Sequence, residues 1–232
     1  MTVLVGIVDS GVAPELGASV AATCSFAAGP AGNVLRGEAA ADRLGHGTAI
    51  VRVILEAAPE ARIVSAQVFH DRMVAAPAIV AAGLRWLTEM GCHLVNLSFG
   101  VAADRQLLRD ACDAAGRAGA ILVAAAPARG APAYPASYLG VIRVSGDARC
   151  GPGEISSLGG EPADFGACPR GADGKLLGAS IAAARITGIL AARPPASTAA
   201  PREWLHAAAA YRGREQKGVG SLFHSVRRTS ER

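Results

Sequence analysis

An acid, a base and a hydroxyl nucleophile stand in three short segments far apart in this chain. Asp9 ends Val5-Gly6-Ile7-Val8-Asp9-Ser10-Gly11, His46 sits in Gly45-His46-Gly47-Thr48, and Ser180 in Gly178-Ala179-Ser180-Ile181-Ala182. A serine hydroxyl is a weak nucleophile at neutral pH. Acyl transfer needs an imidazole to take its proton and a carboxylate to fix that imidazole's tautomer and stabilise its charged form. All three side-chain types are available here, in the order Asp, His, Ser.

The elements that must position them are legible in the residues around them. The apolar run Val3 to Val8 reads as a buried parallel strand, so Asp9 emerges at a carboxyl end, where open α/β sheets place their sites. His46 opens an apolar periodic stretch, Ile50, Val51, Val53, Ile54 and Leu55, which predicts a helix packed on that sheet. Ser180 begins an Ala-rich stretch running to about Ala192. A helix there puts the Ser180 hydroxyl and N–H at a positive helix terminus, where a developing oxyanion is stabilised.

Simpler readings compete with this one. A strand-end Asp is by itself a turn or cap residue, and Gly-His-Gly is by itself a turn. The nucleotide-binding alternatives lack their phosphate cradles, since no Gly-x-Gly-x-x-Gly follows the first strand and no Gly-x-x-x-x-Gly-Lys-Ser/Thr occurs. His70, His93, His206 and His224 show no ligand spacing and read as structural or solvated.

From Val3 to Leu190 the chain resembles the subtilase family of subtilisin-like serine peptidases. The resemblance rests on the three segments in that order and on three further stretches. Leu94-Val95-Asn96-Leu97-Ser98-Phe99-Gly100 is similar to the family strand whose Ser-x-Gly segment pairs with the substrate backbone. It implies substrate-binding roles for Ser98, Phe99 and Gly100. The stretches 120–126 and 134–142 resemble the strand and loop that lead to the oxyanion site and flank the specificity pocket. The resemblance implies Asp9, His46 and Ser180 as the catalytic residues of an endopeptidase acting through an acyl-enzyme.

One segment departs from the family pattern. Subtilases follow the strand at 120–126 with Gly-Asn, and the Asn side chain donates to the oxyanion; here the chain reads Ala126-Pro127-Ala128-Arg129. Ala128 falls at the Asn position, Ala179 at that of an assisting Thr, and Ala184 replaces a usual Pro. The oxyanion region of Ala128, Arg129 and Ala179 therefore offers the Ser180 N–H as main donor, with Arg129 the nearest side-chain candidate. Loss of one such donor costs on the order of 100- to 1,000-fold in turnover, a figure that comes from subtilisin itself.

Composition and charge bound the rest. At 232 residues and 51% hydrophobic content the chain can bury one large core, and 4% aromatic content leaves the packing to aliphatic side chains and Ala. Strands are expected near 3–9, 62–69, 93–98, 120–126 and 140–146, with helices near 47–57, 76–90, 103–118 and 179–192. That alternation predicts an α/β fold, a doubly wound, mostly parallel sheet with helices on both faces. Pro201-Arg202-Glu203-Trp204 predicts a last helix anchored by Trp204, closing a catalytic domain over 1–210.

Residues 211–232 carry six Arg or Lys against two Glu, a surplus that equals the +4 formal charge of the whole chain. The basic character thus belongs to a tail with Arg212, Arg214, Lys217, Arg227, Arg228 and Arg232, expected to be flexible and solvated, with docking to a protein partner the alternative. A basic face for nucleic acid is not expected, nor is a membrane span, because no run of about 18 apolar residues occurs. Five cysteines, Cys24, Cys92, Cys112, Cys150 and Cys168, form no metal-ligand spacing and read as reduced thiols. The strand bearing Asp9 follows Met1 almost at once, so neither a signal peptide nor a prodomain is expected within this sequence. A cytoplasmic setting follows, with no metal and no cofactor. The substrate is a peptide or precursor peptide. The alternatives are a catalytically weak or inactive subtilase fold that binds a peptide or partner, and a peptide ligase or cyclase.

Overall fold

The computed structural model describes residues 3–171, 174, 176–192 and 200–214. Its centre is β1 (Leu4–Asp9), where apolar residues point alternately to both faces of the sheet, as a strand covered on two sides requires. β1 runs parallel between β4 (Arg62–Gln67) and β5 (Leu94–Leu97), with Leu4 opposite Arg62, Asp9 opposite Gln67, and Val5 opposite Leu94. β6 (Ile121–Ala125) and β7 (Ile142–Gly146) continue the parallel order beyond β5.

Helices cover both faces. α1 (His46–Ala57) and α4 (Ala179–Ala192) pack on one side, where Ile7, Ile50, Ile54, Ile63, Ile181 and Ile186 are fully buried together. α2 (Pro77–Glu89) and α3 (Gln106–Arg117) cover the other with Leu84, Leu87, Leu97 and Leu108. Each such side chain contributes about 1.5–3 kcal/mol relative to an exposed one. α1 and α4 cross closely at Gly188, where any Cβ would lie 2.8 Å from the Ile54 carbonyl oxygen. That crossing holds the two helices that begin with His46 and with Ala179-Ser180.

The doubly wound, mostly parallel sheet has ten strands among the described residues, more than the five expected. The additions are β2 (Val20–Ala28) with β3 (Val34–Gly37), β8 (Ile155–Gly160) with β9 (Ala163–Ala167), and β10 (Tyr211–Arg212). The first two pairs are antiparallel. The additions flank the central parallel strands and end at the sheet edges β3 and β10; short runs mixing small, polar and apolar residues give them no strong local signal. The full order is β10-β8-β9-β7-β6-β5-β1-β4-β2-β3. A short 3-10 turn, Pro14–Ser19, joins β1 to β2.

Two expectations at the carboxyl end are corrected. The fold does not stop at 210: Tyr211 and Arg212 pair in parallel with Ser156 and Ser157, Gly213 N–H donates to the Ser157 carbonyl, and Arg149 Nη2 donates to the Gly213 carbonyl. Sheet hydrogen bonding therefore claims the start of the expected tail. Its remainder, with Lys217, Arg227, Arg228 and Arg232, lies outside the described residues. In α5 (Ala200–Ala208) the deep anchor is Leu205, fully buried, while Trp204 is half-buried at the edge of the same core. Among the described residues no helix is long and apolar enough to cross a membrane.

Candidate active site

Asp9 ends β1 and is buried, 1% exposed. Its Oδ1 accepts from Ser10 N–H at 2.7 Å and lies 2.8 Å from His46 Nδ1. That contact spans 37 residues of sequence and exists because the crossover from β1 returns α1 to the same end of the sheet. Ser10 ties the two segments together, since its hydroxyl accepts from Gly47 N–H at 2.9 Å and donates to Asp9 Oδ1 at 3.2 Å. Gly47 must be glycine for close approach: a Cβ there would stand 2.2 Å from the Gly11 carbonyl oxygen.

Asp42 holds the entry to α1. Its Oδ1 accepts from Leu44 and Gly45 N–H, and its Oδ2 from the N–H and hydroxyl of Thr48 at 2.9 and 2.6 Å. Burial works to raise the Asp42 pKa, but the Thr48 and Gly45 hydrogen bonds outweigh it and hold the carboxyl below its usual range. For His46, burial works to lower the pKa; the Asp9 hydrogen bond and the charges of Asp9 and Asp42 outweigh it, leaving the imidazole above its ordinary value. With Nδ1 committed to Asp9, Nε2 is the nitrogen left to take a proton.

Ser180 is the second residue of α4, in a first turn whose leading N–H groups have no intrahelical acceptor. Its hydroxyl donates to the Ser98 carbonyl at 2.9 Å rather than to His46, and the Ser98 hydroxyl donates to the Ser180 carbonyl at 3.1 Å. Behind them runs a buried chain in which Thr187 donates to Asn96 Oδ1 at 3.0 Å and Asn96 Nδ2 donates to Ser98 Oγ at 2.7 Å. Asn96 and Thr187 are fully buried. The network locks α4 to the end of β5.

Beside Ser180 lies an open depression of about 410 Å³, lined among others by Phe99, Gly100, Ala126, Pro132 and Ala179. Its two walls are joined by Val101 and Tyr134, which exchange hydrogen bonds of 2.8 and 2.9 Å as one antiparallel bridge. Phe99 and Gly100 thus sit where a peptide strand could lie along Ser180, while Ser98 is buried behind them. Of the expected oxyanion residues only Ala179 shares that depression. Ala128 and Arg129 line a separate cavity of about 280 Å³ in which Ser180 has no part. That placement, with Ser145 and Gly146 of β7 on the same cavity, gives no support to Arg129 as donor to the Ser180 oxyanion.

The cysteines are not rival nucleophiles. All five are buried and unpaired, and burial pushes the Cys92 and Cys112 thiols up to about 12. His70 Nε2 donates to the Phe26 carbonyl at 3.1 Å, and His206 Nδ1 contacts Ser157 Oγ at 2.8 Å, both structural settings. Sequence reasoning missed Ser10, Asp42 and Thr187. Ser10 had a signal, its place next to Asp9; the four-residue spacing from Asp42 to His46 had none without the loop geometry.

The chain is similar to known proteins in sequence and in fold. The family model described as the subtilase family matches residues 1–217. Subtilisin DY of Bacillus licheniformis is 28% identical over 176 residues, covering 68% of this chain and 62% of that protein. A thermostable alkaline protease of Halalkalibacterium halodurans is 29% identical over 152 residues, covering 61% of this chain and 40% of that one. The chain thus spans less than two thirds of the length of either relative. A solved cold adapted subtilisin-like serine proteinase superposes with a TM-score of 0.70 at 20% identity, covering 88% of this chain and 81% of the other.

Proposed function

This chain belongs to the subtilase family, and from that premise we propose that it is a serine endopeptidase that cleaves a peptide or precursor peptide through an acyl-enzyme. The observation that carries this reading is the buried Asp9–His46 contact at 2.8 Å, placed at the same sheet end as a Ser180 that begins a helix beside an open depression. Asp9 holds Nδ1, so His46 Nε2 takes the Ser180 proton as the hydroxyl attacks the scissile carbonyl. The proton then passes to the leaving amine, and water repeats the sequence to release the acyl group. The oxyanion is met by the Ser180 N–H at the positive end of α4, with no Asn side chain beside it. Phe99 and Gly100 pair with the substrate backbone. The five unpaired thiols support a reducing setting such as the cytoplasm.

Fluorophosphonate labelling tests this without knowledge of the substrate. Native protein should label at Ser180, and Ser180→Ala and His46→Ala should each abolish it. A folded native protein that does not label overturns the reading. One observation favours a second reading, a peptide-binding protein that does not cut: the Ser180 hydroxyl is engaged by the Ser98 carbonyl and not by His46. Unlabelled native protein that still binds peptide would select it.

A further inference from the structure

We propose that a basic cleft adjoining the nucleophile selects peptides bearing an acidic side chain, an inference that rests on the reading of this site as one that binds peptides. The cleft has two lobes, of about 280 and 290 Å³, which share Arg129, Pro162 and Arg214 as walls. Two features join it to the depression at Ser180. Pro132 lines both, and Gly146, on the cleft floor, lies against Gly178, two residues ahead of Ser180. A peptide seated at Ser180 therefore reaches the cleft within a few residues.

The charge of the cleft is positive where a ligand would meet it. Arg143 and Ser145 alternate onto one face of β7, opposite Val144, which is buried in the core. Arg143 is engaged by Asp164 at 2.6 Å and by Glu161 at 3.5 Å. Asp147, the other carboxylate on the floor, is neutralised by Arg149, which reaches its Oδ2 at 2.7 Å. Arg129 and Arg214 form no ion pair among the described residues. Two guanidinium groups on one cleft with no carboxylate of their own suit one carboxylate from outside. Ser145 is 2% exposed and its hydroxyl, which lines the same floor, has no hydrogen-bond partner. It supplies a further donor to a ligand oxygen.

The loop carrying Arg129 is also the one that departs from the Gly-Asn pattern. The departure thus withdraws a side-chain donor from the oxyanion region and turns an arginine into a neighbouring cleft. A carboxylate held there would anchor the peptide across a site with modest transition-state stabilisation.

The test separates binding from cutting. Ser180→Ala protein is titrated, by fluorescence polarisation, with labelled Gly/Ala/Ser octapeptides carrying one Glu or one Gln at each position in turn. At one position Glu should bind about tenfold more tightly than Gln. The preference should shrink as salt rises, vanish in Arg129→Glu/Arg214→Glu, and persist in Arg129→Lys/Arg214→Lys. Equal binding of Glu and Gln peptides at every position, including no binding of either, overturns the proposal, as does a preference unchanged in the double Glu variant. Fluorophosphonate labelling of native protein reports the peptidase reading separately. Labelling without acid selectivity sinks the cleft alone; acid selectivity without labelling sinks cleavage alone.

Discussion

Ser98 and Ser180 hold each other by two hydrogen bonds of opposite sense: the Ser180 hydroxyl donates to the Ser98 carbonyl at 2.9 Å, and the Ser98 hydroxyl donates to the Ser180 carbonyl at 3.1 Å. The pair fixes the first turn of α4 against the end of β5, and Asn96 and Thr187 secure it from inside. In the mechanism proposed above, the Ser180 hydroxyl turns from Ser98 to His46 before attack. The backbone of the turn need not move, because the second hydrogen bond stays in place.

Truncation within this network should therefore act on stability and on the nucleophile together. Asn96→Ala leaves the buried Thr187 hydroxyl without its acceptor and takes the amide donor from the Ser98 hydroxyl, at a cost of about 2–4 kcal/mol. For a domain of this size that lowers Tm by about 5–15 °C. Ser98→Ala should slow fluorophosphonate labelling with a smaller loss of Tm. Labelling equal to native in both variants would show that the network has no bearing on Ser180.

The pH dependence of labelling follows from His46. Its imidazole must be neutral to accept the Ser180 proton, and its pKa is raised above 6.5. Labelling should fall as pH drops through that raised value, so the midpoint of the acid limb lies above 6.5. Asp42→Asn removes one of the raising charges and should move the limb to lower pH while lowering Tm through the lost α1 entry bonds. A limb that stays in place would exclude Asp42 from the electrostatics. The same raised pKa contributes stability that is present below pH 6.5 and lost as pH rises through the folded value.

Gly47→Ala tests how tightly the His46 segment is registered on Asp9. The new Cβ would fall 2.2 Å from the Gly11 carbonyl oxygen, a backbone atom that cannot step aside without moving β1's end. Labelling should drop by at least about tenfold, with a loss of stability of about 1–3 kcal/mol. Native rates in Gly47→Ala would show that the segment is looser than its packing.

Ala128→Asn asks whether the missing oxyanion donor can be restored by residue type alone. Ala128 lines the cavity with Arg129 and not the depression with Ser180. The Asn amide should fall short of the oxyanion, and hydrolysis of an activated peptide ester should gain far less than the roughly 100-fold that one such donor is worth. A gain of that size would return position 128 to the oxyanion site.

The strand that Asp9 ends and the helices that His46 and Ala179-Ser180 begin were legible in sequence because these signals are local. An apolar run ending at Asp9, a 3.6-residue period after His46 and an Ala-rich helix from Ala179 need no distant partner to be read. The strands flanking the central parallel set were not legible. Val20–Ala28, Ile155–Gly160 and Tyr211–Arg212 owe their conformation to hydrogen bonds with segments far away, and their small, mixed side chains carry no strong period. The same holds within the site. Residue types named Asn96, Ser98 and Ser180, but only the crossover of α4 onto β5 set Thr187 behind Asn96 and turned the two serines toward each other. Only the path of the loop after β6 put Arg129 on a cavity wall with Arg214 and left it out of the depression beside Ser180, because a loop's direction is set by what it packs on and not by its own sequence.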